Sequence, residues 1–155
     1  MRRPLALSGA SAALLGAAAL GLALAAAPPD VAHRVGPDPA RPSQVVVYYF
    51  HGDQRCRTCM HIEEATEETL RARFGKELAA QRLAWRTVNF DRDENEHVIR
   101  DYKLVAQSVV LVEYRDGKEV RAKNLDKVWR LIHDDHAFEA YVRDEIVAFL
   151  GAGRG

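Results

Sequence analysis

The feature that most limits what this chain can fold into is the run Val45-Val46-Val47-Tyr48-Tyr49-Phe50, which leads through His51 to Cys56-Arg57-Thr58-Cys59. Six consecutive β-branched or aromatic residues read as a strand buried on both faces. From Cys59 the apolar or small positions Cys59, Ile62, Ala65, Thr66, Thr69, Leu70 and Phe74 recur at helical spacing, while Glu63, Glu64, Glu67, Glu68 and Arg71 take the other face. That is an amphipathic helix, broken or bent near Gly75, whose early glutamates suit the positive end of its dipole. Cys56 and Cys59 are the only cysteines in the chain. Two thiols at this spacing can close a disulfide or share a metal. Their place between a buried strand and the mouth of a helix favours redox chemistry. A bridge of this kind closes a very short loop and adds little stability by loop closure, so a structural disulfide is the weaker explanation.

The remaining elements follow in order. Leu83 to Phe90 reads as a second strand, and Asp91 or Asp93 can cap a helix running to about Tyr102. Ser108 to Tyr114 is a third strand. Asp116-Gly117 is a hairpin turn signal, with Lys118 to Asn124 as the fourth strand. Asp134 or Asp135 caps a last helix that carries Phe138, Tyr141, Val142, Ile146, Phe149 and Leu150 on one face. The order is β-α-β-α-β-β-α. The first three strands can run parallel through helical crossovers, with an antiparallel hairpin at the end.

Ahead of this domain, Met1-Arg2-Arg3 is a positive start and Leu5 to Ala27 is an uncharged apolar or small run forming an N-terminal apolar helix. Small residues before Pro28 suit a cleaved secretory signal, and the length also suits an uncleaved membrane anchor. Residues 1–27 are therefore a signal peptide or signal anchor. Residues 28–43 hold five of the six prolines and read as an extended linker. Residues 44–151 form the domain, and 152–155 a tail. The two leading arginines place the rest of the chain outside, in the periplasm or an equivalent extracytoplasmic space, with a membrane tether through residues 5–27 if the signal is retained. Without residues 1–27 the formal charge falls from zero to about −2. There is no basic stripe and no aromatic–basic interleaving, so nothing suggests nucleic acid and no nucleic-acid partner is expected.

The element order, with Cys-x-x-Cys after the first strand, resembles the thioredoxin-like superfamily from about Gln44 to Leu150. Val88-Asn89-Phe90-Asp91 and the run Tyr102 to Gly117 match it most closely. More narrowly, Tyr48-Tyr49-Phe50-His51, Arg55-Cys56, Thr58-Cys59 and Ile62-Glu63 resemble a small exported bacterial family known as the nitrophenyl-compound nitroreductase subunit (ArsF-type). The chain shows no flavin or nicotinamide motif, and no cofactor is expected beyond a redox-active Cys56–Cys59 disulfide. Three positions depart from ordinary thioredoxins. Arg57-Thr58 replaces Gly-Pro between the cysteines. Val109, after Ser108, stands where the resemblance implies a cis-proline, and a trans bond is expected there. Phe50 stands where it implies a buried acid, which leaves His51 as the nearest proton carrier.

The resemblance implies a thiol–disulfide oxidoreductase with Cys56 as nucleophile and Cys59 as resolving thiol, acting on a protein thiol or disulfide or a small thiol. The helix dipole, Arg55 and Arg57 all favour a Cys56 thiolate, which makes the couple more oxidising. Ser108-Val109 is expected to form the wall facing the sulfurs, with free backbone groups for an extended peptide. Two alternatives stand beside this reading. One is zinc or copper binding by His51, Cys56, Cys59 and His61, four ligands of a suitable kind whose convergence would distort the helix start. The other is a non-catalytic subunit serving a membrane or electron-transfer partner. Trp129 and the two tyrosines read as core, the paired glutamates as a solvated face, and His97, His133 and His136 show no spacing that marks a site.

Overall fold

The computed structural model describes residues 35–41 and 43–152. The candidate signal or anchor lies outside the described residues, among which no helix is long and apolar enough to cross a membrane.

Strand β1 (Ser43–His51) is followed by α1 (Arg57–Arg73), α2 (Gly75–Ala79) and β2 (Leu83–Asn89). A short 3₁₀ helix (Asp93–Asn95) and α3 (His97–Asp101) lead to β3 (Ser108–Arg115) and β4 (Lys118–Asn124), then to α4 (Val128–Leu131) and α5 (Asp135–Ala152). The sheet order is β2-β1-β3-β4, with β1 parallel to β2 and antiparallel to β3.

The antiparallel β1–β3 pair corrects the expectation of three parallel strands. A parallel β3 would need the chain carried back down the whole sheet after β2. The seven residues of β2 span roughly 23 Å at the usual strand rise. The five residues of α3 cover only about 7.5 Å. The chain therefore crosses one face and re-enters β3 at the end where it left β2. The helix expected to run unbroken to Tyr102 is split for a related reason. It has no side-chain cap, because the Asp91 carboxylate accepts instead from the Asp53 amide at 2.7 Å.

Strand alternation sends the side chains of β1 to two separate cores. Val45, Val47 and Tyr49 pack with Ile62 and Leu70 of α1, with Phe74 just past its end, and with Phe138, Val142, Ile146 and Phe149 of α5. Val46, Tyr48 and Phe50 pack on the other face with Val98, Leu104 and Tyr114. This is the pattern expected of a strand covered on both sides. The threonines that α1 turns inward donate to carbonyls one turn back, Thr66 to Ile62 at 2.7 Å and Thr69 to Ala65 at 2.8 Å, so neither hydroxyl is left unsatisfied. Asp134 caps α5 by accepting from the Ala137 amide at 3.0 Å. Asp116 and Gly117 both take positive φ, 50° and 75°, as a two-residue hairpin between right-twisted strands requires.

The chain before β1 is docked where the sequence suggests an extended linker. The Tyr48 hydroxyl accepts from the Gly36 amide at 2.8 Å and donates to its carbonyl at 3.0 Å. Arg86 also donates to the Gly36 carbonyl. Residues 35–41 are thus held against the second face of the sheet.

Candidate active site

The site forms where β1 ends and α1 begins. Its approach loop is fixed by close packing. A side-chain carbon at Gly52 would lie 2.8 Å from an Asp91 carboxylate oxygen and 3.0 Å from the Phe90 ring, so only glycine fits without a shift. Asp53 is held there too, its carboxylate accepting from Asn89 at 2.6 Å. These contacts bring the chain to Cys56 in an extended conformation, φ −82° and ψ 159°, from which the helix starts.

Cys56 is the N-cap of α1, and its sulfur accepts from the Cys59 amide at 2.9 Å. The two sulfurs form a disulfide with an S–S distance of 2.03 Å. Cys56 is exposed, whereas Cys59 retains 5% of its surface. This asymmetry favours attack at Cys56 over attack at Cys59. A thiolate released at Cys56 would sit on the unsatisfied amides of the first helical turn, which carry the positive end of the dipole.

The charges around the sulfurs differ from the expectation. Arg55 is ion-paired with Glu63, and its guanidinium lies 5.9 Å from the centre of the Tyr49 ring. Much of its charge is thus taken by a carboxylate before it bears on Cys56. Arg57 is exposed and has no ion pair among the described residues, which leaves it as the cation free to act there. The helix begins at Arg57, so Glu63 and Glu64 fall beyond its first turn, which has no acidic residue. The expectation that early glutamates complement the dipole is corrected accordingly.

Tyr49 enters the site from below. It is fully buried, and its hydroxyl donates to the Cys59 carbonyl at 2.6 Å, with the Gln107 side-chain oxygen 3.1 Å away. Burial pushes this phenol well above its ordinary pKa, the Glu63 charge adds to the rise, and Arg55 partly offsets it. The hydroxyl therefore stays protonated and acts as a donor. Gln107 reaches across the site, donating from its amide nitrogen to the Gln54 carbonyl at 2.5 Å. Its own carbonyl accepts from the Trp129 indole at 3.0 Å. Trp129 is thus half-buried core with one polar end fastened to the site loop.

Ser108 and Val109 lie at the start of β3, and both are buried. No peptide bond among the described residues is cis, so the Ser108–Val109 bond is trans. Phe50 stands opposite Ser108 and Tyr49 opposite Val109 in the ladder, and the Val109 carbonyl accepts from the Leu125 amide at 2.8 Å, which takes that one group from an incoming peptide. The Ser108 hydroxyl turns back to the Ala106 carbonyl at 2.8 Å. Gln107, which the sequence did not single out, provides the span from this loop to the cysteine loop.

The histidines are not gathered with the sulfurs. His51 lies against the Tyr49 ring, 6.1 Å between centres, and one ring nitrogen is 3.0 Å from the Gly52 carbonyl. His61 lines a groove between α1 and α5 with Glu68, Asp135 and Glu139. Among the described residues no group of three or more His, Cys, Asp or Glu side chains is placed to hold a metal ion. Phe50 stacks between Tyr48 and Tyr102 on the far face of the sheet, away from Tyr49.

A four-stranded sheet of this order, with a Cys-x-x-Cys disulfide capping the helix after the central parallel strand, is the thioredoxin-like arrangement. No family model and no curated protein matches the chain. Among solved structures it is similar to a thioredoxin from Fasciola hepatica, at 23% identity over 68% of this chain and 81% of the other, TM-score 0.41. It is also similar to Trxlp from Edwardsiella tarda, at 21% identity over 64% and 82%, TM-score 0.40. A third is thioredoxin f2 from Chlamydomonas reinhardtii, at 19% identity over 61% and 83%, TM-score 0.37. These likenesses are distant, and the fold assignment rests on the strand order and pairing.

Proposed function

We propose that this protein is a thiol–disulfide oxidoreductase that exchanges through Cys56 and resolves through Cys59. The observation that carries the reading is the asymmetry of the pair: one cysteine is exposed at a helix N-terminus and the other is buried in the first turn of that helix. A partner thiolate attacks the Cys56 sulfur, the Cys56–Cys59 bond breaks, and the Cys59 sulfur leaves and takes up a proton. A second partner thiolate then attacks the partner sulfur of the mixed disulfide, so that the partner disulfide forms, the bond to Cys56 breaks and Cys56 leaves as the thiolate. The partner loses two electrons and the protein gains them. The same steps run backwards when the partner is the disulfide.

The proposed partner is a protein thiol or disulfide, or a small thiol, outside the cytoplasm. The N-terminal charge and apolar pattern supports export, with residues 1–27 as signal or tether. Within the thioredoxin-like class, the run through Tyr48, Arg55 and Glu63 supports membership of the nitrophenyl-compound nitroreductase subunit family. The decisive test is turnover of a disulfide substrate by the full chain and by Cys56→Ser. The substitution is expected to lower turnover at least about a thousandfold, since it removes the nucleophile of a covalent mechanism. Retained turnover, or undiminished cellular function in that variant, would replace the reading with a binding role.

A further inference from the structure

We propose that Tyr49 and Gln107 are positioning residues of the disulfide centre, forming a bracket that holds Cys59 in place to close the bond with Cys56. This rests on the proposed exchange through that pair.

The bracket is continuous. One phenol hydroxyl meets the Cys59 carbonyl at 2.6 Å and the Gln107 side-chain oxygen at 3.1 Å. The Gln107 amide nitrogen then reaches the Gln54 carbonyl, two residues before Cys56. The strand beneath the helix, the loop before Cys56, the turn containing Cys59 and the loop before β3 are therefore joined through two side chains. Trp129 fixes the Gln107 backbone from behind. Neither side chain spends a hydrogen bond on a sulfur. Their effect is to restrict where Cys59 goes once the bond opens. A hydrogen-bonded carbonyl on the first turn keeps the Cys59 sulfur within reach of Cys56, which preserves a high effective concentration of one thiol at the other.

The test uses the full chain equilibrated with reduced and oxidised glutathione. In that equilibrium the glutathione S–S bond breaks, the Cys56–Cys59 bond forms, and the two protein thiol protons end on two glutathione thiols. Tyr49→Phe keeps the ring and removes the hydroxyl. The equilibrium constant for closing the protein disulfide is expected to fall about fivefold, a rise in potential of about 20 mV at about 30 mV per decade. Gln107→Ala, made in a loop, is expected to give a similar fall, and the double variant little more, because both remove one connected element. Tyr48→Phe is the control: it removes an equally buried hydroxyl from the other face and is expected to leave this constant unchanged.

An unchanged constant in both Tyr49→Phe and Gln107→Ala overturns the proposal, as does an equal shift in Tyr48→Phe. A lower melting temperature without a change in the constant makes the two residues merely structural and also overturns it. The measurement needs no biological substrate. If the wild-type chain turns over no disulfide substrate while the constant shifts as expected, the proposed function fails and the bracket stands.

Discussion

Tyr48 and Tyr49 are adjacent, share a strand and have no exposed surface, yet they serve opposite faces of the sheet. The Tyr48 hydroxyl ends on the Gly36 backbone and 3.2 Å from the Tyr114 hydroxyl. It pins the chain that enters the domain. The Tyr49 hydroxyl ends beneath Cys59. One residue type, with one buried polar atom to satisfy, yields a clasp on one side and a brace for the disulfide on the other. What separates them is the period of two along a strand, which sends neighbours to different surroundings. The first face itself divides along its length. Val45 pairs with Glu113 towards one end of the β1–β3 ladder and Tyr49 with Val109 towards the other. The disulfide belongs to the second end, and a buried carboxylate to the first.

The largest expected effect tests that division. Glu113 keeps only 2% of its side-chain surface and pairs with Arg115 at 2.7 Å and Arg121 at 2.5 Å. Arg121 also donates to the Phe149 carbonyl at 2.8 Å, tying the end of α5 to the sheet. Burial alone would raise the Glu113 pKa, but the hydrogen bonds and charges of the two arginines outweigh it and hold the carboxyl below its ordinary value. Glu113→Gln is expected to cost about 2–4 kcal/mol in chemical denaturation, because it leaves two cations around a neutral group. A carboxylate with a depressed folded pKa stabilises fully above the unfolded value of about 4.3 and loses that contribution as pH falls through the folded value. The wild type is therefore expected to lose stability on acidification below about pH 4.3, and the variant to lose less. Its glutathione equilibrium should match the wild type. A shifted equilibrium would mean that the two ends of the face are coupled.

A smaller effect separates the two tyrosines. Tyr48→Phe is expected to lower stability by about 1–2 kcal/mol, since it leaves the Gly36 backbone groups with one fewer partner. It should also speed proteolysis within residues 35–41. Tyr49→Phe is expected to cost a similar amount without exposing that segment. Equal cleavage in both variants would show that the clasp does not depend on Tyr48.

The sequence made the sheet legible where a strong local signal existed. The apolar run of β1, the Asp116-Gly117 turn and the two long amphipathic helices each carry their own period. The direction of β3 was not legible, because it depends on how far a short helix can carry the chain. Helix α4, four residues long, spans barely one turn and leaves no period to read. At the site, the spacing of Cys56 and Cys59 was sufficient to find the sulfurs. Tyr49 was hidden because a tyrosine inside an apolar run reads as core, and core it is; only the end point of its hydroxyl gives it another role. Gln107 was hidden because its partners come from distant parts of the chain. Arg55 and Glu63 stand on either side of a strand-to-helix corner, where the spacing rules of a continuous helix do not apply.

That corner supplies the smallest expected effect and the finest test of how the braced face is tuned. Arg55 has two acceptors to choose between once the disulfide opens: the Glu63 carboxylate, to which it is bound, and the new thiolate on the residue beside it. Removing the carboxylate charge with Glu63→Gln leaves the thiolate as the better partner. The Cys56 pKa should then fall and the reduced form gain stability. Arg55 keeps 30% of its side-chain surface, so water screens much of this gain. A two- to threefold fall in the closing constant, or about 10–15 mV upward in potential, is the expected size. The ultraviolet absorbance of the thiolate, followed against pH, distinguishes this route from the bracket. Glu63→Gln should shift the Cys56 titration to lower pH, whereas Tyr49→Phe should change the potential with little movement of that titration. If Glu63→Gln leaves both readings where they were, Arg55 has no hold on Cys56, and the helix dipole and Arg57 alone set the thiolate.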